Sequence, residues 1–390
     1  MPKLADPLLP VSSETDFSSA AQEGPKQQLS PSRIDGASGS RNTSDYLFVS
    51  NVRFVAMISI VWVHSMLRWG VAPSPSSYIQ VALLQLMKFG TIGFFLISGY
   101  LLGEGLTRTT PLQYFYRRVR AVFVPWAFWS FVWFVIALSQ DLLDSANHQH
   151  LESSLRDLGQ MYLKFVFTQS IYWFVPNFFL GLAIVLGLYR KVPDYVQGPV
   201  FLAFSLFYGI NAYIKVIPVV HMSAVFGFVF YLWLGSFAYH HRDSWNRWMA
   251  KISWGQLAIC IGVAAVSAFA ELHMLRKLHS EDSYNTLRIS NQIFSVGVTL
   301  LIVKCKHALF PKRIDVRSET FGIFLIHPIL IEVFQVANAR IPVSVRDGIA
   351  ANGPLLLILG VATFAVLYLL SLLLTKQIRR VSLLRWMVGR

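Results

Sequence analysis

Large apolar residues gather along this chain into ten blocks, near residues 52–71, 82–103, 121–139, 171–189, 199–214, 223–239, 254–271, 289–303, 319–337 and 354–375. Short polar stretches separate them. Most approach the roughly 20 residues a helix needs to cross a hydrocarbon core about 30 Å thick. A bilayer leaves backbone groups no partner but each other, and blocks this uniformly apolar suit helices rather than the alternating strands of a barrel. The pattern predicts an all-α, polytopic transmembrane helix bundle of about ten spans.

Composition agrees with that reading. Apolar residues make up 54% of the 390 and charged residues only 14%, against about 45–50% and about 25% in soluble domains. Residues 1–45 differ from the rest: nine serines, five prolines and few large apolar side chains cannot bury enough surface to fold alone. They read as a disordered cytoplasmic tail and lack the features of a secretory signal. Residues 46–376 form the membrane domain and 377–390 a basic cytoplasmic tail.

The net charge of +14 raises the question of nucleic acid, but binding proteins of that kind gather their basic residues on one stripe or tail. Here they are spread through many loops, so no nucleic-acid partner is expected. With the N-terminus inside, the later inside segments carry nineteen lysines and arginines and the outside segments nine. The bias of cytoplasmic loops towards basic residues then places both termini in the cytoplasm. Residues 141–170 read as an outside loop ending in an interfacial segment. Cys260 and Cys305 are far apart and support neither a disulfide framework nor a metal site. No internal repeat is evident, which weighs against a transporter built from related halves.

The first block carries the chemistry. Arg53 and His64 are eleven residues apart, which is three helical turns plus about 20°, so both lie on one face and about 16 Å apart along the axis. Arg53 falls near the cytoplasmic boundary and His64 around mid-membrane. Ionisable groups at that depth usually face the bundle interior or a watery cavity and are functional candidates. Taken singly, Arg53 reads equally as a snorkelling side chain and His64 as a hydrogen-bonded core histidine.

Other residues carry two readings each. Ser98-Gly99 is a small pair that lets a neighbouring helix approach, with Ser98 able to donate to a substrate. Arg117, Arg118 and Arg120 suit bidentate phosphate binding, or else fix orientation and touch anionic lipid. Trp173 belongs to a substrate-lining aromatic motif or to an aromatic belt. His327, followed by Pro328, lines the same cavity as His64 or sits satisfied at a kink. Lys88 is read as snorkelling outward. His240-His241 has no nearby third ligand, and no metal site is expected.

Four stretches, taken in order, resemble the acyltransferase-3 family, membrane enzymes that acylate cell-surface carbohydrates. They are Arg53 and His64 with ten residues between them, Phe94-Phe-Leu-Ile-Ser-Gly-Tyr-Leu-Leu102, the basic run Tyr116-Arg-Arg-Val-Arg-Ala-Val-Phe-Val-Pro125, and Ser318-Glu-Thr-Phe-Gly-Ile-Phe-Leu-Ile-His327. Ser50 stands where the family commonly has an acidic residue, and Ala121 where many members have another arginine. The resemblance implies an O-acetyltransferase of the plasma (inner) membrane. Acetyl-coenzyme A would be its co-substrate, with no bound cofactor, and a carbohydrate or glycolipid hydroxyl its acceptor. His64 would be the base and Arg53 a donor or oxyanion contact. Arg117, Arg118, Arg120, Ser98, Trp173 and His327 would contact donor or acceptor. The competing expectations are transfer of succinyl or another acyl group, and a non-enzymatic exporter of a glycan or lipid precursor.

Overall fold

The computed structural model describes residues 46–67, 78–145, 155–168, 170–220 and 224–389. The expected tail over 1–45 lies outside the described residues. Among the described residues every apolar block is mostly helical and no strand occurs.

Helix α1 (Leu47–Leu67) is followed by α2 (Tyr78–Leu86), α3 (Gly90–Leu106), α4 (Pro111–Arg118), α5 (Val124–Ser145), α6 (Leu155–Thr168) and α7 (Phe174–Leu188). Then come α8 (Asp194–Ile214), α9 (Val229–His240), α10 (Arg242–Lys251), α11 (Trp254–Lys277), α12 (Ile289–Lys304), α13 (Val316–Ala339), α14 (Val343–Ala351) and α15 (Gly353–Arg380). Among the described residues seven stretches are long and apolar enough to cross a membrane: Leu47–Met66, Tyr78–Leu106, Pro111–Ser139, Ile171–Leu188, Trp254–Lys277, Val316–Ala339 and Gly353–Arg380. The other three expected spans are helical as well. Of these, α9 has 12 residues, α12 has 16, and α8 is long enough but less apolar.

Large apolar side chains are exposed on the outer helices while several polar ones are buried inside the bundle. Ile259, Val263 and Val266 on α11 and Ile358, Leu369 and Leu373 on α15 are exposed, whereas Asn51, Arg288, Asn291 and His327 are buried. Outward apolar faces of this kind are what hydrocarbon solvates. Between helices in lipid, close packing and hydrogen bonds replace the hydrophobic drive. The α3/α9 crossing shows this: Gly99 faces Gly235 and the Leu232 carbonyl, and Gly103 abuts Ser236 and Tyr239.

Segments between the blocks depart from the sequence reading. The expected loop over 141–170 is largely helical: α5 continues to Ser145, and α6 packs back on it through the Ser130–Tyr162 hydroxyl contact of 2.8 Å. The basic residues past 376 continue in helix and a short turn. Helix α15 ends at Arg380 and a 3-10 turn, Ser382–Val388, lies on α5, with Trp129 Nε1 donating to the Met387 carbonyl at 2.7 Å.

Arg288, counted above among the outside charges, is fully buried. Its guanidinium donates to the carbonyls of Ala268 (2.9 Å) and Asn285 (3.1 Å) and to Gln85. Glu271 of α11 accepts from the backbone N–H groups of Ile289 and Ser290, at 3.1 and 2.9 Å. Those are orphan donors at the start of α12, and a carboxylate there also complements the helix dipole. This network fixes the 278–288 segment, and with it Thr286, against α2. Glu271→Leu leaves those donors and the buried guanidinium without their acid. We expect a fall in thermal midpoint corresponding to about 3 kcal/mol, read by light scattering of the detergent-solubilised protein.

Candidate active site

Helices α1 and α13 start at the same end of the bundle and pack side by side. His64 lies one turn before the end of α1, level with the middle of α13. There His64 Nδ1 and His327 Nε2 are 3.1 Å apart, with ring planes 12° from parallel.

The proton positions follow from partners. His327 Nδ1 is 3.0 Å from the Ile323 carbonyl, and the Phe324 carbonyl also faces the ring. Pro328 has no N–H to give Phe324, four residues back, so that carbonyl is released from the helix ladder. Carbonyls only accept, so Nδ1 of neutral His327 carries the hydrogen and Nε2 the lone pair. His64 Nδ1–H therefore donates to His327, and the remaining lone pair of neutral His64 is on Nε2. Tyr172, donating its hydroxyl to the Leu325 carbonyl at 2.5 Å, braces the same turn of α13.

His64 lines a small cleft of about 40 Å³ together with Ile60, Val63, Lys88, Thr91, Trp173 and Thr286, among others. Trp173 stands in a 3-10 turn whose Ser170 hydroxyl accepts from the Tyr172 N–H at 3.1 Å. Its ring packs 5.3 Å from that of Phe228. Ser98 is half-buried on α3 and does not line the cleft.

Arg53 takes no part in this pair. Arg118 and Arg317 bear on it electrostatically, together with Tyr114. No carboxylate of a described residue lies within ion-pair distance of Arg53. Arg118 is held in place from below. Thr110 and Gln113 form a capping box at the start of α4, and the buried Tyr114 accepts from Arg118 Nε at 2.9 Å. Arg117 also lies over the Tyr114 ring. Pro125 cannot donate to the Ala121 carbonyl, and the chain changes register through one π-helical turn, Val119–Phe123,. Arg120 lies in that turn, exposed.

The structure thus collects two groups at opposite ends of α1: His64 and Trp173 on a cleft, with the fully buried His327 behind His64 and outside the lining, and Arg53, Arg118 and Arg317. Among the described residues no carboxylate lies within ion-pair distance of the three arginines of the second group. Arg317 was not singled out from sequence, where it is one of five basic residues before the ninth block. Of the two places open to Lys88, inside the membrane domain or snorkelling outward, the structure shows the first. Lys88 is 7% exposed and lines the cleft, because the helix breaks at residues 87–89 and Gly90 tucks the start of α3 against Ser59 and Ala56 of α1.

The family description "Acyltransferase domain" of the acyltransferase-3 group matches residues 46–373. The chain belongs to this family. No curated protein and no solved structure gives a significant match. Family membership and the spanning helices make the protein a multi-pass membrane acyltransferase. The match runs from just before α1 into the last helix, so both groups described above lie within the acyltransferase domain.

Proposed function

We propose that the protein O-acylates a carbohydrate, with acetyl-coenzyme A as donor and a hydroxyl of a cell-surface glycan or glycolipid as acceptor. The observation that carries this reading is the His64–His327 pair, whose His64 lines a cleft, with the arginine cluster at the other end of the same helix. A sugar hydroxyl is a poor nucleophile until its proton is being removed. His64 Nε2 takes that proton as the oxygen attacks the thioester carbonyl carbon, and His327 Nε2 accepts from the resulting imidazolium at Nδ1. Collapse of the tetrahedral intermediate breaks the C–S bond, and His64 returns the proton to the departing coenzyme A thiolate.

Arg53, Arg118 and Arg317 are placed to hold the donor's phosphates, since guanidinium groups bind phosphate oxygens bidentately. About 16 Å of helix separates Arg53 from His64, a gap for the pantetheine arm. Both termini and the arginine cluster are on the cytoplasmic side in this proposal, in accord with the positive-inside bias, and the protein resides in the plasma (inner) membrane.

The test is coenzyme A release by the purified protein in liposomes. Release from acetyl-coenzyme A that depends on added acceptor is expected; glycan movement without release would favour an exporter, and preference for longer thioesters would replace acetyl. Arg317→Ala should raise KM for the donor about tenfold, as loss of one charge-assisted contact of about 1.5 kcal/mol does. The kcat should change little, because that contact is made equally in ground and transition states. Steady-state kinetics with acetyl-coenzyme A and with its dephospho form would check this. A penalty that disappears with the dephospho donor would place Arg317 on the 3′-phosphate, and one that persists would place it on the diphosphate.

A further inference from the structure

Lys88 has a role that base catalysis at His64 leaves open. Its side chain is more than nine-tenths buried and lines the same cleft as His64. Among the described residues no carboxylate lies within ion-pair distance of it. Asp282 acts on it only through longer-range attraction, and buried Arg288 opposes that with a like charge. Arg288 is itself committed to Gln85, Asn285 and Ala268. A buried ammonium without a partner is costly. The lining also carries aromatic and hydroxyl side chains, Trp173, Phe174, Thr91 and Thr286, beside the apolar Ile60, Val63, Met87 and Ile171.

The position of Lys88 separates acceptor from donor. It lies in the α2–α3 break, and Thr286 comes from the segment joining α11 to α12, so both belong to the His64 end of the bundle. The arginine cluster is at the other end. An anionic group drawn to Lys88 therefore arrives with the molecule that enters at the His64 end. We propose that the acceptor is an acidic saccharide, whose carboxylate or phosphate pairs with Lys88 while Trp173 contacts a sugar ring and a neighbouring hydroxyl meets His64. This rests on the acyl-transfer reading for the identity of the acceptor, but the binding contact does not require transfer.

The experiment is saccharide binding to the full-length protein in nanodiscs, followed by calorimetry, with cellobiouronic acid, cellobiose and cellobiose 6-phosphate as probes. The wild type is expected to bind one or both acidic disaccharides at least about tenfold more tightly than cellobiose, as a charge-assisted hydrogen bond implies. In Lys88→Met that ratio should collapse towards one, and in Lys88→Arg it should persist. Which acid wins identifies the group as carboxylate or phosphate.

His64→Ala should keep the acidic preference. If binding holds there while the wild type shows no acyl transfer, acyl transfer fails and the lysine site stands. Equal binding of acidic and neutral disaccharides by the wild type would overturn the proposal. So would an acidic preference that survives Lys88→Met, or a loss of both affinities alike that Lys88→Arg does not restore. If Lys88→Met instead alters the choice between succinyl- and acetyl-coenzyme A and leaves the choice of saccharide intact, the lysine reads the acyl group and the proposal is likewise overturned.

Discussion

Substituting His64 by alanine is expected to lower kcat for acyl transfer by about 10³-fold, with little change in KM for the donor. A positioned general base contributes about 10²–10⁴, and in the proposed mechanism the substituted group meets the acceptor rather than the donor phosphates. His327 tests the mechanism more finely, since it touches His64 at 3.1 Å and in the proposed mechanism acts by orienting it. Leucine at 327 removes the acceptor that holds His64 Nδ1–H at 3.1 Å, so the tautomer with its lone pair on Nε2 is no longer selected. We expect a loss of about 10²-fold in kcat, the scale of one general-base contribution at its low end. Glutamine at 327 offers a carbonyl oxygen near the position of Nε2 and should recover part of that loss. A merely structural histidine would show no such order between Leu and Gln once protein amounts are matched. Equal activity of His64→Ala and wild type in coenzyme A release would remove His64 from the chemistry altogether.

The residues of this pair were each visible in the sequence as costly groups inside apolar blocks, but their contact was not. They are 263 positions apart, and helical periodicity assigns a residue to a face without saying which helix the face meets. His327 also gains its proton arrangement from Pro328, whose effect on the Phe324 carbonyl is a matter of backbone hydrogen bonding. Arg53 was legible by its depth on α1. Arg317 was not, because an exposed arginine just ahead of a span has the same local pattern as any cytoplasmic-loop charge.

Lys88 and Arg288 show a different limit. Both sit near the edges of apolar blocks, where a long basic side chain ordinarily reaches the interface. Lys88 was drawn inside by a helix break that the apolar pattern runs straight through, since residues 87–89 interrupt what hydropathy presents as one 29-residue span, Tyr78–Leu106. Arg288 is kept inside by carbonyls and a glutamine from α2 and α11. Block positions come from composition along the chain and survive nearly intact; the breaks depend on tertiary contacts that no single block contains.

Replacing Gly99 by valine is expected to produce the largest loss of stability, through a single close crossing. A Cβ at Gly99 would overlap the Leu232 carbonyl of α9, and one at Gly235 would overlap the Leu96 carbonyl of α3. The obstacle on each side is backbone, so no side-chain rotation relieves it, and the two helices must separate. Separation costs the packing on which helix association in lipid depends, and it also displaces Phe95, whose ring stacks on Phe228 with centroids 4.9 Å apart beside the cleft. We expect destabilisation above about 3 kcal/mol, in the range of severe overpacking, seen as loss of monodisperse protein on gel filtration in detergent and a steep drop in thermal midpoint. Gly262 on α11 supplies the comparison, because a Cβ there meets nothing within 4 Å. Gly262→Ala should therefore leave the midpoint unchanged or raise it slightly, by the helix-propensity gain of up to about 1 kcal/mol. If Gly99→Val and Gly262→Ala behaved alike, the α3/α9 contact would not be the close crossing described. The Ser-Gly pair would then owe its place in the chain to Ser98 instead.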